Sequence, residues 1–439
     1  MKKICTLLLL FVAISLSAQW TNVGSPDFSG EYAGSTSIAF DGSGTAYVAF
    51  GDGSQSGKAT VMKYSGGAWV VVGSAGFSPG AVSGLTIAFS HNIPIVAFSD
   101  GANSYKTTVM KLNNSNTWVT IGAAGFSAGA AYSPTLAIDN TGIPYVAFTD
   151  AANSNKATVM TLSGTTWVNL GTAGFTTGAA SHPAMAINGT TPYVVFADAT
   201  PAITVMSYNG SSWVAEGNTS FGGNAQTVAI AVDNTGALYV AAPLASNSGD
   251  VYAYKLVSNT WTQLGTGAVS AGAAQSPQLA IDANNIVYVA YQDVANSNKA
   301  TLMQYSGSSW SAVGSAGFSP GKVYNVSVAV GPGDAPYVAF SDYTDSNKVT
   351  LMTYGGTASV NNINESDISV YPNPVSADVY INCPLAVSNL SVYDINGRLV
   401  LEEKQPVTNH FNIGNFTSGL YLVKITTAEQ VYIKKIVKE

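Results

Sequence analysis

The sequence predicts an all-β protein: a seven-bladed β-propeller of four-stranded blades, its last blade closed by the N-terminal strand, followed by a small β-sandwich. A repeat is the first reason. The seven tryptophans of the chain fall in register at Trp20, Trp69, Trp118, Trp167, Trp213, Trp261 and Trp310, spaced 49, 49, 49, 46, 48 and 49 residues apart. Similar text follows several of them: VVVGSAGFSPG after Trp69, VTIGAAGFSAG after Trp118, SAVGSAGFSPG after Trp310. The second reason is the grammar of one unit, which reads as four short strands rich in Val, Tyr, Thr and Phe with no helical period. A period in the forties with four strands is that of a propeller blade. The third is the offset of the array: it opens on a lone Trp strand and ends without one.

The elements follow in chain order. Lys2 and Lys3, the apolar run Ile4–Ile14 and the small residues up to Ala18 read as an export signal over residues 1–18. No later apolar stretch reaches the roughly 18 residues that a membrane helix needs, so no integral membrane segment is expected. The propeller spans 19–356. In its third unit, strand a is typified by Leu136–Asp139 and the turn Asp139-Asn140-Thr141-Gly142 follows. Strand b is then Pro144–Phe148, strand c Ala157–Leu162, and strand d starts at Trp167. The leftover strand Trp20–Gly24 is expected to pair with Val349–Tyr354, which would satisfy two sheet edges at once. Residues 357–367 lack the repeat and read as a linker, and 368–439 form a second all-β unit.

Composition bounds the function. The propeller region holds nine Lys, sixteen Asp or Glu and no Arg; the only arginine of the chain is Arg398. That argues against nucleic acid, which is met by clustered cations. It also argues against an arginine clamp for carboxylate or phosphate. Cys5 belongs to the signal, which leaves Cys383 alone, read as a small apolar core residue. No cofactor is expected.

The C-terminal unit contains Tyr371-Pro372-Asn373-Pro374, Asp394-Ile395-Asn396-Gly397-Arg398, Gly419-Leu420-Tyr421 and a lysine-rich end, in that order. Together these resemble the C-terminal sorting domain of the type IX secretion system of Bacteroidetes, subtype A. The resemblance implies that the export machinery is a partner. It also implies a passenger secreted from, or attached to the outer surface of, a Gram-negative cell, commonly after removal of the sorting domain.

On the ring, d–a and b–c loops share one face, and a–b and c–d turns share the other. The b–c loops repeat a polar motif, as in Asp150-Ala-Ala-Asn153-Ser154-Asn155-Lys156. The candidate ligand-binding residues are its charged pairs: Asp52 and Lys58, Asp100 and Lys106, Asp150 and Lys156, Asp293 and Lys299, Asp342 and Lys348. The fourth repeat, with Asp198, lacks the lysine. The fifth reads as having Pro243 in place of the aspartate. Two readings stand side by side. Asp and Lys pair across a hairpin, or they form up to five weak, equivalent sites for a glycan or protein ligand. One carboxylate beside a lysine is a poor site for a divalent metal. The repeated Trp, Phe and Met positions read as packing between blades. A catalytic pair should break the ring's symmetry, and the non-repeated Glu31, Glu216 and Asp250 show no evident partner. A non-catalytic binding propeller is therefore expected; a polysaccharide hydrolase or lyase with an asymmetric carboxylate site is the alternative.

Overall fold

The computed structural model describes residues 19–198, 202–223, 225, 227–355, 369–383, 387–395, 397–404, 410–427 and 431–439. The expected signal and linker lie outside them. Seven four-stranded antiparallel sheets carry the repeat, and all seven meander as expected. In blade 3 the strands a to d are Ala131–Ile138, Pro144–Asp150, Lys156–Ser163 and Thr166–Asn169. Blades 1, 2, 4, 5 and 6 repeat this over 33–71, 82–120, 181–215, 229–263 and 274–312. Strand a starts earlier than the alternation indicated. A register shift between Tyr132 and Thr135 interrupts the pattern, with Ser133 in the left-handed region at φ 50°. No helix among the described residues is long and apolar enough to cross a membrane.

Blade 7 joins the two ends of the repeat. Its strands a to c are Val323–Val330, Pro336–Asp342 and Lys348–Tyr354, and its outer strand is Trp20–Asn22. Trp20 lies opposite Tyr354, Thr21 opposite Thr353 and Asn22 opposite Met352. Val23 N–H then donates to Leu351 O and Phe28 N–H to Val349 O, both at 2.9 Å. The ring closes as the offset implied.

Packing between blades explains the residue choice. Strand b of blade 3 is buried along its whole length, because each blade face meets another blade. In blade 3, Val146, Phe148 and Met160 pack with Ile95, Ala97 and Val109 of blade 2. The smaller Ala147 and Ala157 turn toward Val194 and Phe196 of blade 4. Large against small across each interface is how wedge-shaped layers fill their volume.

The tryptophans form a girdle. Each donates its indole N–H to a backbone carbonyl of the preceding blade at 2.7–2.8 Å, from Trp69 to Val23 O round to Trp20 to Val313 O. Six of the rings also stack on a phenylalanine of the preceding d–a loop, with centroids 3.7–4.8 Å apart. Trp310 has Val269 at that position instead. The glycine after strand d is required by this contact: at Gly73 the backbone has φ +72°, and a Cβ would lie 2.8 Å from the Trp118 ring.

The contact pattern separates a second unit, Ser359–Glu439. It holds a three-stranded sheet built from Ser369–Tyr371, Asp378–Asn382 and His410–Asn412. A four-stranded sheet pairs Leu399–Lys404, Val387–Asp394, Gly419–Thr427 and Val431–Lys438. Val379, Ile381, Leu390, Val392, Phe411 and Ile425 share its core. Cys383 is buried there as a free thiol.

Candidate functional site

The aspartates of the charged b–c motif are buried and tied into the loop that they close. Asp52, Asp100, Asp150, Asp293 and Asp342 are each at most 4% exposed. Each ends strand b and turns inward. Asp150 Oδ1 accepts from Ala152 N at 3.0 Å, and Oδ2 accepts from Asn153 Nδ2 and Thr158 Oγ1, both at 2.8 Å. Asp100 repeats this with Ala102, Asn103 and Thr108. Asp293 does so with Asn296 and Thr301. Asp52 uses Ser54 and Thr60. The same threonine passes the link on: Thr158 Oγ1 accepts from Gly174 N at 2.8 Å in the d–a loop. A carboxylate this buried is turned to protein donors rather than to solvent.

The lysines behave differently. Lys58, Lys106, Lys156, Lys299 and Lys348 stand opposite their aspartates in the strand register. No ion pair joins any of these five pairs; Lys348 bonds Asp345 instead, at 3.3 Å. All five lysines are half-buried. Register also corrects the fifth repeat: Leu244, not Pro243, occupies the aspartate position, and Asp250 stands opposite it. That loop accordingly has no side-chain cap. Of the other non-repeated carboxylates, Glu216 accepts from Ser207 Oγ at 2.5 Å, and Glu31 is exposed in a d–a loop. No cluster of three or more His, Cys, Asp or Glu among the described residues could hold a metal.

The rest of the motif also holds the ring. The residue before the lysine, or before Asp250 in blade 5, is left-handed in six blades, and its carbonyl takes a hydrogen bond from a residue at the start of strand a of the next blade. Asn155 O accepts from Ala180 N at 2.9 Å, and Asn347 O from Ala33 N at 2.8 Å. Five of these residues are Gly57, Asn155, Gly249, Asn298 and Asn347, types that tolerate φ > 0. The sixth is Tyr105, at φ 59° and 53% exposed.

Tyr105 belongs to a group that motif reading missed. The exposed aromatic side chains among the described residues of the ring are Tyr32, Tyr105, Tyr132, Tyr324 and Tyr343. All five lie where strand a begins or in a b–c loop, hence on one face. They come from blades 7, 1, 2 and 3, which are consecutive, and each departs from the repeat. Tyr343 stands where other blades have Gly53, Gly101 or Ala151; Tyr132 and Tyr324 stand where others have Gly34 or Ser83. Tyr324 and Tyr343 meet edge to face at 5.9 Å, and Lys322 Nζ lies 4.7 and 5.3 Å from their centroids. The signal was in the sequence, as bulky residues at positions that the repeat keeps small. Deeper in, strand a of every blade lines a central channel of about 380 Å³, where His182 is the ionisable side chain.

The C-terminal unit is decided by comparison. Residues 369–439 match the family model described as a secretion system C-terminal sorting domain. This unit is a type IX sorting domain. It makes the protein a secreted or outer-surface protein of Bacteroidetes. The sorting domain accounts for the change of grammar after the seventh blade. No curated protein matches the chain. Among solved structures, the BP39L lectin from Burkholderia pseudomallei is similar at 16% identity, over 74% of this chain and 98% of that one, with a TM-score of 0.54. The extracellular domain of the hybrid two-component system BT3049 from B. thetaiotaomicron is similar at 10% identity, over 96% of this chain and 57% of that one, with a TM-score of 0.50. A PL25 ulvan lyase is similar at 10% identity, over 75% and 94%, with a TM-score of 0.48. At these identities the likeness is one of fold.

Proposed function

We propose that the propeller is a non-catalytic carbohydrate-binding module, carried outside the cell by its sorting domain, with the tyrosine-bearing face as the binding surface. The observation that carries this is Tyr105. A bulky side chain in the left-handed region costs about 1–2 kcal/mol, its neighbours at that position are Gly or Asn, and packing does not repay the cost because the ring is exposed. Strain held at an exposed aromatic is a mark of use rather than of folding. Tyrosine offers a rigid platform with an electron-rich face for sugar C–H groups and a hydroxyl for sugar oxygens. The lectin named above has the same ring architecture, in keeping with this reading.

The test uses the full chain on a glycan array, as wild type and as Tyr105→Asn. The variant should unfold later by about 1 kcal/mol, since Asn accepts the backbone, while its glycan signal falls about tenfold. Greater stability with weaker binding excludes misfolding as the cause. A wild-type protein that binds no glycan on the array, or that shortens a polysaccharide chain, would overturn the reading.

A further inference from the structure

In blades 2, 3, 6 and 7, strand b carries, one residue before its last position, a side chain that reaches across to the next blade. Ser99 Oγ donates to Ala131 O. Thr149 Oγ1 donates to Ala180 O at 2.8 Å, Gln292 Nε2 to Val323 O at 2.5 Å and Ser341 Oγ to Ala33 O at 2.9 Å. Gly51 in blade 1 and Ala197 in blade 4 stand at the same register position without a donor; in blade 5 this residue is Pro243, which has none either, and the carbonyl it would meet is that of Ala274. There a pocket of about 500 Å³ opens between blades 5 and 6, on the same face as the tyrosines. That size falls within the roughly 300–1,000 Å³ of small-molecule sites.

The lining is neutral. Ser248, Gln275, Ser276 and Thr227 offer hydroxyls and one amide, against an apolar wall of Pro243 and Val294. Thr227 Oγ1 is shut off from solvent yet has no hydrogen-bond partner among the described residues. A buried hydroxyl left in that state costs free energy, recovered only where the wall opens far enough for a ligand group to reach it. No charged side chain lines the space, so an anionic group would be desolvated there without a counter-charge.

We infer that this pocket is a subsite for one neutral sugar ring. A sugar hydroxyl can both donate and accept, which suits the Gln275 amide and the Ser248 and Ser276 hydroxyls, while its C–H face lies on Pro243. The inference rests on the carbohydrate-binding reading above and adds position and class to it: the terminal ring enters between blades 5 and 6.

Titration calorimetry of the full chain tests it, with methyl glucoside, mannoside, galactoside and fucoside against galacturonate. Two variants close the site by different routes. Pro243→Ser restores the cross-blade donor, and Ala245→Trp fills the space from an exposed loop position. At least one neutral glycoside should bind and galacturonate should not, and each variant that melts like the wild type should lose about tenfold or more. If the array still shows glycan binding and Ala245→Trp binds as tightly as wild type, the pocket is not the subsite, although the face still binds carbohydrate. Galacturonate bound as well as the glycosides would overturn the neutral class. No glycan bound by the wild type would remove the underlying reading and this one with it.

Discussion

Blade 3 and blade 7 answer the same structural problem with different means. Blade 3 is one continuous stretch of chain, and its polar ties follow the repeat: Asp150 holds Asn153 and Thr158, and Thr158 holds Gly174. Blade 7 is assembled from both ends of the repeat, and its ties are rearranged. Asp27 stands where blade 3 has Gly174, at φ 53°. Thr350 Oγ1 donates to Asp27 Oδ1 at 3.1 Å and accepts from Asp27 N at 2.9 Å. Asp342 is left with Thr344 alone, through its N–H at 2.9 Å and its hydroxyl at 2.6 Å. A blade with a covalent turn on every strand can rely on generic ties. The blade without one redirects its threonine from the b–c aspartate to a side-chain clasp across its seam.

The largest effect expected from this contrast is at the tryptophans. Trp20→Ala and Trp167→Ala remove comparable contacts, a ring stack and an indole hydrogen bond, worth about 3–5 kcal/mol each. In blade 3 the damaged strand stays tethered by the turn at Gly164. In blade 7 it can detach. Trp20→Ala should therefore release residues 19–29 to limited proteolysis below the melting transition, and Trp167→Ala should not. Equal resistance of the two variants would show that the seam is no weaker than a continuous blade.

The aspartates give a smaller difference. Asp150→Ala leaves three donors unmet, among them the Asn153 amide and the buried Thr158 hydroxyl, and should cost about 1–3 kcal/mol in denaturant unfolding. Asp342→Ala should cost less, because Thr350 is already held by Asp27. Equal losses would mean that the two loops are tied alike.

The smallest effect is a pH dependence at the seam. Burial raises the Asp27 carboxyl above its ordinary value; the Thr350 hydroxyl opposes the rise, and Asp342 and Asp345 add to it. A carboxyl whose folded value lies above its unfolded one weakens the folded state once ionised, so this contribution worsens as pH rises through the carboxylate range. Asp27→Asn keeps the left-handed backbone and an oxygen for Thr350. It should melt higher than wild type at neutral pH and equally at about pH 3. A gain of the same size at both values would place its origin outside titration.

Much of this architecture was legible because seven copies repeat one message. Trp positions marked the girdle, and the unmatched strand at Trp20 marked the seam. The charged motif was legible only in part for the same reason. Asp and Lys at a fixed distance look like a pair, and their register is indeed opposite, but the threonine eight residues after Asp52, Asp100, Asp150 and Asp293 was the better clue to where the carboxylate points. In the fifth repeat, reading Pro243 as the replaced residue was off by one, since only strand pairing fixes which residue faces which. The tyrosines escaped because they are by nature unrepeated, and a search for period passes over what breaks it. Strain at Tyr105 needs backbone angles, which no spacing reveals.

The clasp between Asp27 and Thr350 spans 323 positions of chain. Bringing such distant segments together costs about 5 kcal/mol in loop-closure entropy, and contacts of this range form late in folding. Until the segment around Tyr354 has been delivered, the strand at Trp20 has nothing to pair with, and an open arc of blades presents an unpaired edge at each end. As long as the arc stays open the protein is most exposed to aggregation through those edges, and that hazard ends at one step, when the first strand finds the last.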